Sequence, residues 1–337
     1  MRPLFICLIG VATVVGCGRS GGPAPKTPAG EEKPAPQAAA KPATGEKIRV
    51  AFVTNNPSDF WKIAEAGTRK ARAELGCEVI FRIPSAGTAE QQQQIVQDLV
   101  TSGVSGIAIS PKDPENQAEM LNQAAARVNL ITQDSDAPES KRVCYVGTNN
   151  YAAGQAAGEL IKKALPNGGS IMLFVGTLDA QNAQDRMKGI RDALAETNIP
   201  IVDTRTDETD RLKAMANVQD ALVTHPELAC LVGLWSYNGP AILNGVRDSG
   251  KLGKVKIVCF DEEDETLQGV KDGPIFGTIV QQPFEFGYQS VKLMVALAKG
   301  DRSGIPADKQ LFIPVLTVTQ DNVDAFWAQL KQRLGKS

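Results

Sequence analysis

Short apolar runs alternate with longer segments of helical periodicity from about residue 47 to the end of the chain. The apolar runs are continuous, which is typical of strands that are buried on both faces of a parallel sheet. Apolar positions at helical spacing predict helices over residues 60–75, 89–101, 115–127, 183–196, 211–223, 239–248 and 321–334. This alternation of strands and helices predicts an α/β fold with helices on both faces of its sheets.

The same pattern occurs twice along the chain. Residues 96–101 (Val-Gln-Asp-Leu-Val-Thr) and 218–224 (Val-Gln-Asp-Ala-Leu-Val-Thr) are nearly identical, and each segment precedes an apolar run. The apolar run at 50–53 likewise corresponds to the run at 171–175, and the offset between the copies is about 120 to 127 residues. Two copies are too few for a solenoid, so we expect two lobes of one architecture.

The first 46 residues differ in composition from the rest of the chain. A basic start and an apolar run at 4–15 have the pattern of a signal peptide, and the run is too short to span a bilayer. Small residues precede Cys17, which resembles a bacterial lipobox and implies removal of residues 1–16 and lipidation of Cys17. An ordinary signal peptide and a soluble start are the alternatives. Residues 17–46 carry the lipid site and a segment rich in Pro, Ala, Gly and Lys, which predicts a disordered tether. We expect a cell-envelope protein, periplasmic or extracytoplasmic, that contacts the membrane only through the lipid.

Charge and composition exclude several functions. The net charge is −2, from 36 basic and 38 acidic residues, whereas nucleic-acid-binding proteins carry a basic excess or stripe. The only histidine, His225, lies in a Thr-His-Pro-Glu segment, for which a loop or the end of a helix is the expected position. One histidine leaves little scope for acid–base or metal chemistry. We predict no nucleic-acid partner, no cofactor, no metal and no enzymatic activity.

Four cysteines, Cys77, Cys144, Cys230 and Cys259, belong to the predicted folded region. None forms a Cys-x-x-Cys pair, which argues against a zinc site. Three of them lie in apolar runs, where cysteine usually behaves as a small buried hydrophobe. We expect free buried thiols, with disulfides as the alternative that an oxidising compartment permits.

Polar and aromatic side chains collect where the predicted strands end. Ligands of parallel α/β sheets bind beyond the carboxyl ends of the strands. The candidates there are Asn56, Phe60, Trp61, Asp134, Asp136, Asn182, Arg186, Trp235, Asn238, Asp261 and Gln281. Carboxylates, amides and arginine pair with hydroxyl groups, and aromatic faces suit the ring of a sugar, so the set predicts a polyol-binding cleft.

Each candidate also has a simpler interpretation. Asp134 and Asp261 are typical turn or helix-capping residues, Trp61 fits the core of the first helix, and Arg186 fits a surface cation. The prediction of a site rests on their occurrence together, at equivalent points of the two copies.

Residues 48–320 resemble the ribose/galactose-type periplasmic binding proteins, whose ligand-binding core the lactose-repressor class of regulators shares. The motifs that carry the resemblance are Asn55-Asn56-Pro57, Phe60-Trp61, Asp134 after a strand, Asn-Ala-Gln-Asp-Arg-Met-Lys-Gly at 182–189, Thr224-His225-Pro226, Phe260-Asp261 and Gln281 before Pro283.

The resemblance implies a type I fold, with two Rossmann-like αβα lobes joined by a three-strand hinge. It implies crossovers near 148–149, 281–282 and 314–316. Lobe 1 would then consist of residues 47–148 and 282–315, and lobe 2 of residues 149–281 and 316–337.

The resemblance also implies roles for the candidates. Hydroxyl contacts from lobe 1 fall to Asn56 and Asp134, and ring contacts to Phe60 and Trp61. Lobe 2 contributes contacts from Arg186, Asp261, Gln281 and Asn182.

Three positions depart from the ribose receptors. Ser135 and Gln184 stand where those receptors have arginine, and Trp235 stands where they have asparagine. Two fewer guanidinium groups remove bidentate donors, so a different or larger sugar than ribose is favoured.

These implications predict the substrate-binding protein of a sugar ABC transporter, a monomer that closes on a monosaccharide and delivers it to the permease. A sensory receptor of the same fold is the main alternative. A transcriptional regulator would need a helix-turn-helix before Ile48, where the sequence has a leader and a tether. Non-sugar polar ligands, such as a cyclitol or an amino acid, also remain open.

Overall fold

The computed structural model describes residues 47–58 and 60–335. The predicted signal peptide at 1–16, the lipidation site at Cys17 and the tether that follows lie outside the described residues. Within the described part of the chain, no helix combines the length and the apolar character needed to cross a bilayer.

Strands and helices alternate along the described residues. In chain order they are β1 (Arg49–Val53), α1 (Phe60–Leu75), β2 (Glu78–Arg82), α2 (Ala89–Thr101), β3 (Gly106–Ile109), α3 (Pro114–Ala125), β4 (Asn129–Gln133), β5 (Tyr145–Gly147), α4 (Asn150–Ala164), β6 (Ile171–Val175), α5 (Gln181–Leu194), β7 (Ile201–Thr206), α6 (Arg211–Thr224), β8 (Cys230–Gly233), α7 (Asn238–Asp248), β9 (Lys256–Phe260), α8 (Asp264–Asp272), β10 (Gly277–Val280), α9 (Pro283–Ala298), β11 (Gln310–Phe312), β12 (Leu316–Thr319) and α10 (Val323–Leu334).

The strands form two six-stranded sheets of the same topology. The first sheet has the order β11-β5-β4-β3-β1-β2, and the second has the order β12-β10-β9-β8-β6-β7. All neighbours are parallel except β12, which runs antiparallel to β10. The predicted fold class, two αβα lobes with parallel sheets, is therefore confirmed.

The internal repeat corresponds to these two sheets. β1 and β6 occupy the same position, next to the edge strands β2 and β7, and the buried runs 50–53 and 171–175 fill them. β4 and β9 also correspond, and Asp134 and Asp261 follow them directly.

The predicted helices agree with the observed ones to within two residues at each end. Local signals explain this: the Thr88 side chain caps α2 by accepting a hydrogen bond from the backbone of Gln91, and Gly76 follows α1 with a φ of +66°. His225 is the C-cap residue of α6, as expected. The periodicity missed α4, α8 and α9, because α4 is rich in Ala and Gly, α8 is short and α9 is apolar almost throughout.

The chain passes between the sheets three times. It leaves β5 of the first sheet for α4, which packs against β9 and β10 of the second sheet. It leaves β10 for α9, which packs on β1, β3 and β4 of the first sheet. Residues 313–315 then join β11 to β12. The predicted lobe boundaries, which fall at these connections, stay a prediction.

The four cysteines of the folded region are all free and buried in the structure, as expected. Cys77 and Cys144 belong to the core of the first sheet. Cys230 and Cys259 belong to the cores on the two faces of the second sheet. Burial raises the pKa of each thiol, which keeps the sulfur protonated and unreactive.

Candidate ligand-binding site

Asp134 and Asp261 occupy equivalent positions with the same unusual backbone conformation. Their φ angles are 60° and 67°, in the left-handed region that non-glycine residues rarely adopt. The amide of each residue donates to the neighbouring strand, Asp134 to Val146 O (3.2 Å) and Asp261 to Ile279 O (2.9 Å). Both side chains are buried, at 9% and 4% exposure. Glycine would adopt this conformation without strain, and aspartate is one of the few other residues that tolerate it.

The Asp134 carboxylate is held by residues at the ends of the neighbouring strands. Its Oδ2 accepts hydrogen bonds from Ser110 Oγ (2.8 Å) and Asn55 Nδ2 (3.4 Å). The Asn55 amide also donates to Ser110 Oγ at 2.9 Å. Tyr145 donates its hydroxyl to the backbone carbonyl of Asp134 at 2.9 Å. These bonds fix the carboxylate through one oxygen, so that the other can accept a hydrogen bond from a ligand.

Arg186, on α5, supplies the positive charge of the site. It is 2% exposed, and its guanidinium lies 4.4 Å above the ring centroid of Phe260. Its Nε donates to Asn150 Oδ1 (3.0 Å), and its Nη1 donates to Leu234 O (2.6 Å). The planar guanidinium is therefore held in one orientation before any ligand arrives.

The three buried charges lie within electrostatic reach of one another. Burial raises the pKa of Asp134 to about 6, opposed by the hydrogen bond from Ser110 and by the charge of Arg186 and reinforced by Asp261. Burial also raises the pKa of Asp261, opposed chiefly by Arg186. Burial lowers the pKa of Arg186, and both carboxylates oppose that effect. Asp134, Asp261 and Arg186 thus lie close enough to affect one another's ionisation, and we refer to these three residues as the cluster at the strand ends.

Each aspartate also has an amide neighbour with an unsatisfied oxygen. Gln281 Nε2 donates to Asp261 Oδ1 (3.0 Å), just as Asn55 Nδ2 donates to Asp134. The other amide atoms, Asn55 Oδ1 and Gln281 Oε1, are buried and have no hydrogen-bond partner among the described residues. A buried acceptor without a partner is costly, so this arrangement suits a ligand that brings several donors.

An aromatic ring stands at the strand ends of each sheet. Trp235 is half-buried, and its ring lies so close to Gly176 that a Cβ there would be 2.0 Å from Trp235 Cζ3. Its Nε1 donates to Asn182 Oδ1 at 3.3 Å. Phe60, at the start of α1, is also half-buried and packs edge-on against Trp61 at 5.0 Å. Such rings offer flat faces for the C–H side of a ring-shaped ligand.

Three of the eleven candidates have most of their polar or ring surface occupied by other parts of the protein. Trp61 is 1% exposed in the core of the first sheet, and its Nε1 donates to Asn56 Oδ1 (3.2 Å). Asn238 is fully buried, with its amide bonded at both ends. Asp136 pairs with Arg142. Their polar groups are thus used within the protein, and ligand contact stays a prediction for all eleven candidates.

Sequence patterns missed several residues that build the site. Ser110 was visible only as the last residue of an apolar run, and Asn150 begins α4, which the periodicity did not predict. Tyr145 lies in the short strand β5, next to the edge of the sheet, and no sequence motif near it suggests a role. Their roles follow from the approach of elements that are distant in the chain.

Asp134→Asn is expected to stabilise the ligand-free protein above pH 6. In the folded state the carboxyl pKa is raised from 3.8 to about 6. Between these two pH values the folded state therefore binds more protons than the unfolded state. The stability that the neutral Asp134 carboxyl contributes is complete below about pH 4, and it is lost as the pH rises through about 6. Asparagine stays neutral, so the variant should gain up to ~3 kcal/mol relative to the wild type above pH 6.

Urea unfolding of both proteins between about pH 4 and pH 8 measures this difference. The exposed Asp98 provides the control, because Asp98→Asn should show no such pH-dependent gain. A difference between Asp134→Asn and wild type that does not change with pH would contradict the assignment.

Comparisons with known proteins identify the family and several relatives of this chain. Residues 50–302 match the family described as periplasmic binding protein domain. The chain is 27% identical over 266 residues to the ribose import binding protein of Salmonella typhimurium, covering 77% of this chain and 87% of that protein. It is also 27% identical to the D-allose-binding periplasmic protein of Escherichia coli, over 79% of this chain and 88% of that one.

A solved structure is similar over nearly its whole length. It is an ABC transporter solute-binding protein from Burkholderia graminis in complex with D-arabinose. The two chains share 33% identity and superpose with a TM-score of 0.77, over 82% of this chain and 96% of that one.

Proposed function

This chain belongs to the periplasmic binding protein domain family, and from that premise we propose that it binds a monosaccharide between its two lobes and delivers it to an ABC transporter permease. The observation that supports this most directly is the cluster at the strand ends. Two buried carboxylates and two unsatisfied amide oxygens provide acceptors for hydroxyl groups, and one fixed guanidinium provides donors. A neutral polyol, in which every hydroxyl both donates and accepts, matches this set.

The charges argue against an amino acid as the ligand. The α-carboxylate of an amino acid needs several donors, and two of the guanidinium nitrogens of Arg186 are already bonded to Asn150 and Leu234. The carboxylate of the ligand would be a third one near Asp134 and Asp261, and these two would repel it. Relatives that bind ribose, allose and D-arabinose favour a sugar.

The proposed sugar differs from ribose in size or configuration. The half-buried indole of Trp235 stands where ribose receptors have a smaller amide, and Ser135 and Gln184 lack the guanidinium groups expected there. Gln184 is exposed and its amide lies near Asp179 O at 3.5 Å. The Trp235 ring offers a flat apolar face, and the site has fewer cationic donors. Both features suit a sugar that presents more C–H surface towards Trp235.

We further propose that the protein is a monomeric, non-catalytic receptor that is held at the extracytoplasmic membrane face by lipid on Cys17. A mass spectrum of the mature N-terminal peptide tests the anchor, since a peptide that starts elsewhere or lacks lipid overturns it. A receptor that signals to a sensor instead of a permease is the second candidate. The two differ in the gene neighbourhood, where a permease favours transport and a histidine kinase favours sensing.

Isothermal titration with pentoses, hexoses, deoxy sugars, inositols and amino acids tests the function. A chain that begins at residue 18 lacks both the proposed signal peptide and the proposed lipid site, so it avoids detergent. We expect one sugar to bind with a dissociation constant of about 1 μM, which corresponds to a binding free energy of roughly −8 kcal/mol. We also expect that sugar to raise the melting temperature by mass action. Binding of an amino acid with no response to any sugar or inositol would overturn the sugar assignment.

A further inference from the structure

Asp207 is a buried carboxylate that none of the sequence motifs marks. It follows β7 directly, is 1% exposed, and its amide donates to Val175 O at 3.2 Å. Its side chain accepts hydrogen bonds from the Tyr237 hydroxyl and from Asn238 Nδ2 (3.1 Å). The backbone amide of Thr209 donates to it at 2.9 Å. All these donors are neutral, although a buried carboxylate usually has a cationic partner.

The two side chains bonded to Asp207 hold the segment that carries Trp235. Asn238 Oδ1 accepts a hydrogen bond from the backbone amide of Trp235 at 2.9 Å. The Tyr237 ring meets the Trp235 ring edge-on, with centroids 6.4 Å apart and planes at 68°. Leu234, in the same segment, provides the carbonyl that accepts from Arg186. Through Tyr237 and Asn238, Asp207 therefore supports the segment that carries both the Trp235 ring and the Leu234 carbonyl that binds Arg186.

The direction of the hydrogen bonds makes the position specific for a carboxylate. Asn238 must present Oδ1 to the Trp235 amide, which leaves its Nδ2 to donate to position 207. Tyr237 also donates there. An asparagine at 207 has only one acceptor atom, and its Nδ2 would face a second donor. Burial raises the pKa of Asp207, and the donors from Tyr237, Thr209 and Asn238 oppose that effect.

We propose that Asp207 is a positioning residue for ligand recognition, which sets the orientation of Trp235 through Asn238 and Tyr237. The proposal rests on the proposed function for its effect on sugar binding. Its effect on the Trp235 ring does not depend on the ligand and can be measured in the ligand-free protein.

Asp207→Asn is the direct test. We expect the sugar found by titration to bind about 10- to 100-fold more weakly, because the charge-assisted hydrogen bonds to Asp207 that hold the Trp235 segment are lost. We also expect easier acrylamide quenching of Trp235 fluorescence in the ligand-free protein. The same change in a Trp235→Phe background should leave the quenching of the remaining tryptophans unaltered. Glu208→Gln, at the exposed neighbouring position, is the matched control and should behave as wild type.

The double variant Asp207→Asn/Asn238→Asp exchanges the two functional groups. The amide introduced at position 207 would accept from Tyr237 and donate to the carboxylate introduced at position 238. That carboxylate would still accept from the Trp235 backbone amide. We expect this variant to recover wild-type quenching and most of the sugar affinity, which general destabilisation would not produce.

Four outcomes separate the possibilities. Wild-type quenching and affinity in Asp207→Asn would overturn the proposal, and so would a folded double variant without recovery. If Asp207→Asn does not fold, the double variant alone decides. If the wild type binds no sugar, the proposed function fails, while the quenching data still decide whether Asp207 positions Trp235.

Discussion

Arg186→Ala is expected to reduce sugar affinity by at least about 100-fold. The guanidinium is the positive charge of the cluster around Asp134 and Asp261, and it reduces the repulsion between these carboxylates. Removing one partner from a buried charge cluster typically costs about 2–5 kcal/mol. Closure on the ligand would then bring two buried negative charges together without compensation. Isothermal titration of the variant against the wild-type ligand measures the loss.

Two further variants isolate the cause. Arg186→Lys keeps a positive charge but loses the planar fork that bonds Asn150 and Leu234, so we expect an intermediate loss. Arg191→Ala removes an exposed arginine from the same helix and should leave the affinity unchanged. Circular dichroism before titration is the check that each variant is folded. An affinity within threefold of wild type for folded Arg186→Ala would contradict the assigned role.

Gly154→Val is expected to produce the largest loss of stability and to weaken binding as well. A Cβ on Gly154 of α4 would lie 2.2 Å from Arg186 O on α5, a contact with backbone that no side-chain movement can relieve. The helices must separate, which costs about 1–3 kcal/mol or more. Each kcal/mol corresponds to ~2–4 °C in melting temperature for a chain of this size. The same separation moves Asn150 away from Arg186, so affinity should fall with stability.

The control glycine is Gly304, where a Cβ would meet its nearest atom, Leu293 Cδ1, at 3.7 Å. Gly304→Ala should leave the melting temperature within about 2 °C of the wild type. Thermal unfolding of the two variants, followed by circular dichroism, gives the comparison. Equal melting temperatures for Gly154→Val and Gly304→Ala would contradict the steric role assigned to Gly154.

The fold follows closely from the sequence because its signals are local and repeated. Continuous apolar runs such as 50–53 and 171–175 form the interior strands β1 and β6, Thr88 caps the start of α2, and Gly76 ends α1. α4 escaped prediction because its contact face consists of Ala and Gly, which the close approach to α5 requires but which give no strong periodicity.

The site was predictable only in part. Asp134, Arg186 and Asp261 follow from strand ends and from the resemblance between the two copies. The Trp61 side chain could not be assigned from its spacing, since a residue in the first turn of α1 can face either the core or the cleft, and the structure places it in the core. Asp207 lies in the polar stretch Asp-Glu-Thr-Asp-Arg, which has the composition of an ordinary turn. Its importance comes from Tyr237 and Asn238, about thirty residues further along the chain.

The strand order has a consequence for how the protein forms as it is synthesised. The first sheet begins at Arg49 but is completed by β11, at Gln310–Phe312 of a 337-residue chain, and is covered by α9. A nascent chain cannot complete this sheet until nearly all of it has left the ribosome. Pairing of segments so far apart also slows folding, because the entropy of closing long loops is lost before the contacts form. The topology therefore keeps the newly made polypeptide unfolded for longer, which is the state that export machinery threads across a membrane.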